Sequence, residues 1–553
     1  MNHDASDTNE RTGWQRSAAP EDGGSRLDRF WARELESEGV SRGKVKEWIL
    51  GGLALVDGNI VTKPNFTVPP GASLSLEAHV PACRTGAETG ELAVLHEEKR
   101  LLVLDKPAGL TTHPAPGEPE GTLVNRLLAH YPDISSERSG MDPVRPGIVH
   151  RLDKDTSGLM IVARDEATRL RLAGDFAARR VGKLYLALVH GVPSPRSGII
   201  NLPIGRDPRN KTRMSVAEKG GREARSSYTV LWTAPGNVAA LVAVRIHTGR
   251  THQVRVHMAA QGHPLLGDTV YGPREAAEWQ AVGKPEAARQ MLHACALRFV
   301  HPVSGELLHF RSDPPADFQA LLEALAECGL RVGLVGPPGC GKSTLLARLA
   351  EQGLPIFSAD SEVADLYAAG GDGADMIGRR FGNQYLTSQG AVDKPALFQA
   401  MRDSGQVLRE VMDLVHPMVR HRAEVFFSNH AGEIAVAEVP LLLEGGWREA
   451  GMVDCVAGVF CPDELRRGAY RTSRGLDQDT LAVFDSWQWP ADRKRPMCDF
   501  VVENDAGLDK LDAAAQALIR DLEALRAKRV AARLAEAHAA VDRAVSELEN
   551  EEQ

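Results

Sequence analysis

Three polar strings hold the side chains able to do chemistry. The first is His150-Arg151-Leu152-Asp153-Lys154-Asp155-Thr156-Ser157-Gly158-Leu159. It sets a carboxylate, Asp153, between Arg151 and Lys154, an order that favours the ionised acid if those cations approach it in the fold. The second runs from Ile246 to His257, and six of its twelve residues are His, Arg or Gln. On a strand or a strand–helix joint these would line one cleft, suited to a polyanion. The third is Gly336-Pro337-Pro338-Gly339-Cys340-Gly341-Lys342-Ser343, followed by Thr344. Its glycines let backbone N–H groups approach phosphate, Lys342 would reach the β- and γ-phosphates, and Ser343 would ligate Mg²⁺. All nine residues from Gly336 to Thr344 are therefore candidate ATP contacts. This loop by itself does not separate a kinase from an ATPase or a GTPase.

The elements around the strings fit those roles. Val332–Val335 reads as a short apolar strand before the glycine loop and Thr344–Ala350 as a helix after it. The next strand, Leu354–Phe357, ends in Ser358-Ala359-Asp360, where a carboxylate beside a phosphate loop could deprotonate an acceptor hydroxyl. Arg466, Arg467, Arg471 and Arg474 punctuate a helical segment suited to a lid over phosphates. Residues 90–315 alternate strand patterns with Gly/Pro turns, which predicts a largely antiparallel or mixed sheet with helices alongside. Near the start, a helix from Arg26 and a basic helix, Ser41–Leu50, precede a hairpin with an Asp57-Gly58 turn. On that second helix Arg42, Lys44 and Lys46 can contact phosphates without reading sequence.

Length and charge bound the rest. The chain has 553 residues, enough for two to four domains. Its formal net charge of −9 argues against a polyanion partner only until it is divided. Residues 151–300 hold 23 Lys and Arg against 12 Asp and Glu, whereas residues 331–553 hold 25 against 35. A basic middle is a candidate for RNA or another polyanion. The seven cysteines are scattered with no Cys-x-x-Cys, which predicts a reducing, cytoplasmic setting without a disulfide framework. The first twenty residues have no apolar core of a secretory signal, and no apolar run approaches the roughly 20 residues of a membrane span.

The first two strings, with Lys183-Leu184-Tyr185-Leu186-Ala187, Gly262–Asp268 and Leu292-His293-Ala294, resemble in order the motifs of RluA-type RNA pseudouridine synthases. The preceding helix–helix–hairpin resembles an S4-like RNA-binding domain. The resemblance implies that Asp153 is the catalytic carboxylate attacking the target uridine or its ribose. Tyr185 would stack on the base and assist loss of the C5 proton, and Arg255 would ion-pair with Asp153. Arg151 would displace the base from its stack, and Arg250 would contact RNA. It implies no metal or organic cofactor, and RNA as partner: ribosomal RNA first, transfer RNA as the alternative.

The third string, with Ala359-Asp360, Val415-His416-Pro417, Val439–Glu444, the arginine lid and Asp499–Asn504, resembles dephospho-coenzyme A kinase. That implies ATP with Mg²⁺, dephospho-coenzyme A as acceptor, Asp360 as general base, and Arg467 and Arg471 as lid residues. Ser358 stands where the family usually has Asp, Pro337-Pro338 where it has Gly, and Thr472 where it has Asp. These departures leave open a kinase of weakened or different acceptor specificity. A non-catalytic RNA-binding protein is the remaining alternative.

The expected organisation is multidomain, α+β then α/β. It comprises a disordered leader (1–24), an S4-like module (25–88) and a synthase domain of mixed or antiparallel sheet (89–317). A linker (318–330), a P-loop kinase with a parallel sheet flanked by helices (331–527) and a charged helical tail (528–553) follow.

Overall fold

Asp57 and Gly58 both take positive φ, 49° and 77°, so the chain reverses between the strands Ala54–Val56 and Asn59–Ile60 as an Asp-Gly hairpin requires. The computed structural model describes residues 11–35, 42–79, 86–114, 118–135, 146–210, 213–281, 284–474, 478–505 and 508–551. The chain divides into two compact units, residues 1–181 with 299–312, and residues 182–298 with 313–553.

In the first unit the helices Leu27–Glu34 and Arg42–Leu50 pack on a four-stranded antiparallel sheet. Leu27, Phe30, Trp31, Val45, Ile49, Leu74 and Leu76 form its core. The expected disordered leader is corrected over part of its length, because Arg11–Ser17 is a strand pairing with Ser73–His79. Its single large apolar side chain, Trp14, stacks on Trp48 at 5.7 Å, an anchor invisible in a polar stretch. Residues 1–10 and Ser41 lie outside the described residues. Farther on, Val94–Glu97, Leu101–Lys106 and Ser157–Ala163 form an antiparallel ladder running from Leu101↔Ala163 to Lys106↔Gly158.

Two large sheets organise the second unit. One places Leu292–Val300, Gly182–His190, Ala239–Ile246, Arg225–Thr233 and Ser197–Asn201 side by side, each antiparallel to its neighbours. The other is five-stranded and parallel, in the order Ile356–Ser358, Ile434–Glu438, Leu330–Val335, Cys455–Phe460, Phe500–Glu503. The segment between the synthase and kinase parts carries the helix Ala316–Ala326. Its stripe of Phe318, Leu321, Leu322 and Leu325 is buried with Leu186, Leu188 and Leu241. Spacing of three and four residues puts those side chains on one face.

A single helix of 42 residues, Leu508–Glu549, closes the chain and runs through the expected boundary at 527–528. Leu511, Ala515, Leu518 and Leu522 enter the core of the parallel sheet, with Leu345 and Val459. Ala537, Val541, Val545 and Leu548 enter the core of the antiparallel sheet, with Leu184, Leu186 and Trp232. Polar pins accompany both contacts. Arg526 donates to the Cys328 carbonyl at 2.9 Å, Arg529 pairs with Asp454 at 3.0 Å, and Arg533 donates to the Thr233 carbonyl at 2.8 Å. Among the described residues no helix is long and apolar enough to cross a membrane.

Candidate active sites

In the first unit the 150–156 loop is fixed from below by a buried cation. Lys106, at the end of its strand and fully buried, donates to the carbonyls of Pro107, Leu110 and Lys154 at 2.8, 2.8 and 2.9 Å. Thr112 donates to the Leu152 carbonyl at 2.8 Å, and the Thr156 amide closes a turn on the Asp153 carbonyl at 3.1 Å. Both backbone neighbours of Asp153 are thereby held, and its side chain is half-buried. Arg151 is exposed and its Nη1 lies 3.4 Å from His113 Nε2. Lys154 is not simply a cation facing Asp153, since its ammonium is paired with Glu118. That pairing, with the Thr111 hydroxyl, holds the Glu118 carboxyl below the usual range.

In the second unit Tyr185 is buried on Gly182–His190, with Val244 and Ala294 as its cross-strand neighbours. Alternation along the strand places Tyr185 on the face opposite Leu184 and Leu186, which pack toward the C-terminal helix. Lys183 is buried too, and desolvation pushes its ammonium down to about 8. Arg255 leads into the core from the helix Gln253–Ala260. Its Nε and Nη2 grip Asp268 at 2.7 and 2.9 Å, a pair whose side chains are 8% and 0% exposed. The guanidinium also lies 5.0 Å from the Tyr271 ring, and Asp268 accepts the Val270 and Tyr271 amides. Asp268 and Tyr271 thus orient Arg255, which the string 246–257 alone did not reveal. His252 Nδ1 meets the Tyr271 hydroxyl at 2.7 Å, while buried His257 bridges Ser226 and the Leu202 carbonyl. Both histidines serve the scaffold. Arg250 is half-buried, its Nε on the Glu223 carbonyl at 2.9 Å.

The basic helix near the start is less open than its sequence suggests. Arg42 donates to Asp28 at 2.8 and 3.1 Å, and Lys46 lies 3.9 Å from the same carboxylate. Burial raises the Asp28 carboxyl, but hydrogen bonds from Arg26 and Arg42 outweigh it and hold it low. Part of the positive charge expected to face phosphates is therefore neutralised inward. The Lys44 side chain lies outside the described residues.

The phosphate loop has the expected strand–loop–helix setting, between Leu330–Val335 and Lys342–Glu351. Gly336 and Gly341 have positive φ, and a Cβ there would fall 2.2 Å from the Val459 carbonyl and 2.4 Å from Asn504 Nδ2. Only glycine fits either place. Pro337 contributes a carbonyl, which accepts from Lys342 Nζ at 3.1 Å. Burial pushes the Lys342 ammonium down, while Glu438, Cys340 and Asp360 pull it up. Asn504, from the end of the last parallel strand, donates to the Cys340 carbonyl at 3.0 Å and braces the loop.

Ser343 Oγ reaches Glu438 at 3.2 and 3.4 Å. Glu438, 3% exposed, ends the strand beside the loop strand and had not been singled out from the sequence. A hydroxyl beside a carboxylate is a hard oxygen donor set that suits Mg²⁺. Asp360 is exposed in the first turn of the helix Ala359–Leu366, two residues past Ser358, whose register partner is Glu438. Lys494, fully buried, joins Glu444, Gln488 and the Pro440 carbonyl within 3.0 Å. In the Asp463–Arg474 helix, Arg466 is turned inward onto Asp463 and Asp485, whereas Arg467 is exposed. The Arg471 and Arg474 side chains lie outside the described residues.

Comparison with known proteins matches each part to a family. Residues 36–74 match the S4 domain, residues 100–260 the RNA pseudouridylate synthase family, and residues 330–510 dephospho-CoA kinase. An RNA pseudouridine synthase of Chloroflexus aurantiacus is 43% identical over 303 residues, covering 55% of this chain and 90% of that protein. One of Bacillus subtilis is 38% identical over 314 residues, 57% of this chain and 98% of the relative. The ribosomal large subunit pseudouridine synthase D of Pseudomonas aeruginosa is 41% identical over 311 residues, 55% of this chain and 93% of the relative.

Proposed function

The chain belongs to the RNA pseudouridine synthase family and carries an S4 domain and a dephospho-CoA kinase domain, and from that premise we propose that it is a bifunctional cytoplasmic enzyme. One activity isomerises uridines of ribosomal RNA to pseudouridine. The other phosphorylates the ribose 3′-hydroxyl of dephospho-coenzyme A.

In the first reaction the Asp153 carboxylate attacks the target uridine or its ribose. The nitrogen–carbon glycosidic bond breaks, the uracil turns, a C5–carbon bond forms, the bond to Asp153 breaks to return the carboxylate, and the proton lost from C5 is matched by one gained at N1. A covalent intermediate keeps the base in place during the turn. Tyr185 supplies the aromatic surface for the displaced base, Arg255 a cation for the reacting groups, and Arg151 the group that fills the vacated stack. Arg42, Lys44, Lys46 and Arg250 contact RNA phosphates. The observation that supports this role for Asp153 is the Lys106 and Thr112 clamp on both sides of its backbone. Such a clamp fixes the position of a nucleophile through its backbone neighbours. The test is Asp153→Asn in the full chain. Pseudouridine formation should vanish while RNA binding persists, and retained turnover would exclude the assignment.

In the second reaction Asp360 takes the proton of the 3′-hydroxyl. The oxygen attacks the γ-phosphorus, and the bond to the β-phosphate oxygen breaks. Lys342 and the backbone N–H groups of the loop Gly336–Thr344, which Pro337 and Pro338 lack, hold the phosphates, and Arg467 and Arg471 close over them. Mg²⁺ accompanying ATP would be held by Ser343 with Glu438 behind it, and supplies neutralisation of phosphate charge. The contact between Ser343 and Glu438 carries this reading, because it pairs the loop hydroxyl with a buried carboxylate. ATP turnover should require dephospho-coenzyme A. Equal turnover with shikimate, nucleoside monophosphates or no acceptor would replace this reading by an ATPase.

A further inference from the structure

Cys340 sits between Gly339 and Gly341 in the phosphate loop, and Cys461 directly follows the strand Cys455–Phe460. Their sulfurs are 3.4 Å apart, with the Cys461 thiol donating to Cys340. Cys340 is 1% exposed and packed with Leu345 and Val459, whereas Cys461 is half-buried. We propose that these two thiols form a reversible disulfide that ties the phosphate loop to the root of the arginine lid and switches off nucleotide use. The proposal rests on the ATP-site reading for its effect, but not for the bond itself.

The geometry favours the bond. Sulfur atoms in a disulfide lie about 2 Å apart, so the pair must close by little more than an ångström. Gly339 and Gly341, with φ of 80° and 93°, flank Cys340 with the backbone freedom to allow it. The chemistry favours it as well. The hydrogen bond from Cys461 lowers the Cys340 thiol to about 7 against burial, with Lys342 and Arg466 adding to the effect. The same hydrogen bond, with burial, pushes Cys461 up. The pair therefore gives up one proton near neutrality and retains the other between the sulfurs. Cys340 is therefore placed to take the Cys461 proton along that hydrogen bond as the Cys461 sulfur, the one that solvent reaches, attacks an oxidant.

Hydrogen peroxide is the oxidant. The Cys461 sulfur attacks one peroxide oxygen as its proton passes to the Cys340 thiolate, the O–O bond breaks, and the hydroxide released takes up the proton lost on ionisation. The Cys340 sulfur then attacks the sulfenic sulfur, the S–O bond breaks and water leaves. Two thiols and one peroxide become one disulfide and two waters. Pulling Cys340 toward Cys461 shifts the loop amides and strains the Asn504 brace on the Cys340 carbonyl. It also links that loop to Pro462 and the Asp463–Arg474 helix, whose movement a lid requires.

Peroxide treatment of the full chain, peptide mass mapping and MgATP binding by calorimetry test this directly. A 340–461 disulfide should appear, MgATP affinity and ATP turnover should fall about tenfold or more, and dithiothreitol should restore both. Cys461→Ser and Cys461→Ala should bind MgATP like the untreated parent and resist peroxide. Absence of the 340–461 peptide in the parent overturns the proposal, as does a disulfide that leaves MgATP binding unchanged, or equal peroxide sensitivity in both variants. Loss of MgATP binding without any acceptor-dependent turnover in the reduced enzyme would reject the kinase reading and keep the switch.

Discussion

Ser343 Oγ lies 3.2 Å from Glu438 Oε2, which joins the first helical turn after the phosphate loop to the end of the neighbouring parallel strand. Glu438→Gln keeps the shape and hydrogen-bonding ability of the side chain but removes its charge. ATP turnover should drop by about 10- to 100-fold, the range seen when a group supporting a metal ligand is removed. Titration with Mg²⁺ should show a raised half-saturation. Unchanged Mg²⁺ dependence would remove Glu438 from the site.

Arg255 and Asp268 form a buried bidentate pair, and breaking one side leaves the other charge stranded. Asp268→Asn should destabilise the fold by about 3–5 kcal/mol, measured by urea unfolding of the full chain. Arg255→Lys loses the two-point grip and should reduce pseudouridine formation even where the protein remains folded. Full activity in the lysine variant would mean that charge alone suffices at this position.

Lys183 gives a pH dependence with a definite sign. Desolvation holds its folded value near 8, below the ordinary 10.5. Between those values the unfolded chain carries a proton that the folded chain lacks, so stability rises with pH. Below about 8 both states are protonated and the burial cost is felt in full. Relative to Lys183→Met, the parent should therefore gain about 3 kcal/mol from pH 8 to pH 10.5, by urea unfolding of both proteins at each pH. A constant difference across that interval would show that the ammonium is solvated.

What the sequence disclosed and concealed follows from the range of the interactions. The phosphate loop is contiguous, and its glycines, Lys342 and Ser343 appear with their strand and helix in one short stretch. The Asp57-Gly58 turn is equally local. Glu438 was hidden because its meaning depends on strand order: it matters only once Ile434–Glu438 lies beside Leu330–Val335 with Leu334 opposite Glu438. Lys106 ends an ordinary strand, and only burial under the carbonyls of residues 107, 110 and 154 reveals its task. Arg42 and Lys46 read as outward cations because Asp28, on the preceding helix, gave no local sign of turning toward them. The C-terminal segment reads as charged because its apolar positions recur every three or four residues among many Glu and Arg. Its two separate cores cannot be seen from composition.

That closing helix yields the last prediction. Val541 and Leu548 are buried against the antiparallel sheet with Leu184, Leu186 and Trp232, while Leu518 and Leu522 are buried in the parallel-sheet core. Val541→Ala and Leu548→Ala each remove buried methyl groups, at a cost of about 1–4 kcal/mol. Because one continuous helix serves both cores, the loss should not be confined to the synthase sheet. Heating the full chain should lower together the temperatures at which pseudouridine formation and ATP turnover disappear. Leu518→Ala, at the other end, should shift both in the same way. If each substitution lowers only the activity of the core it touches, the helix is two independent segments energetically, and the two enzymes merely share a chain.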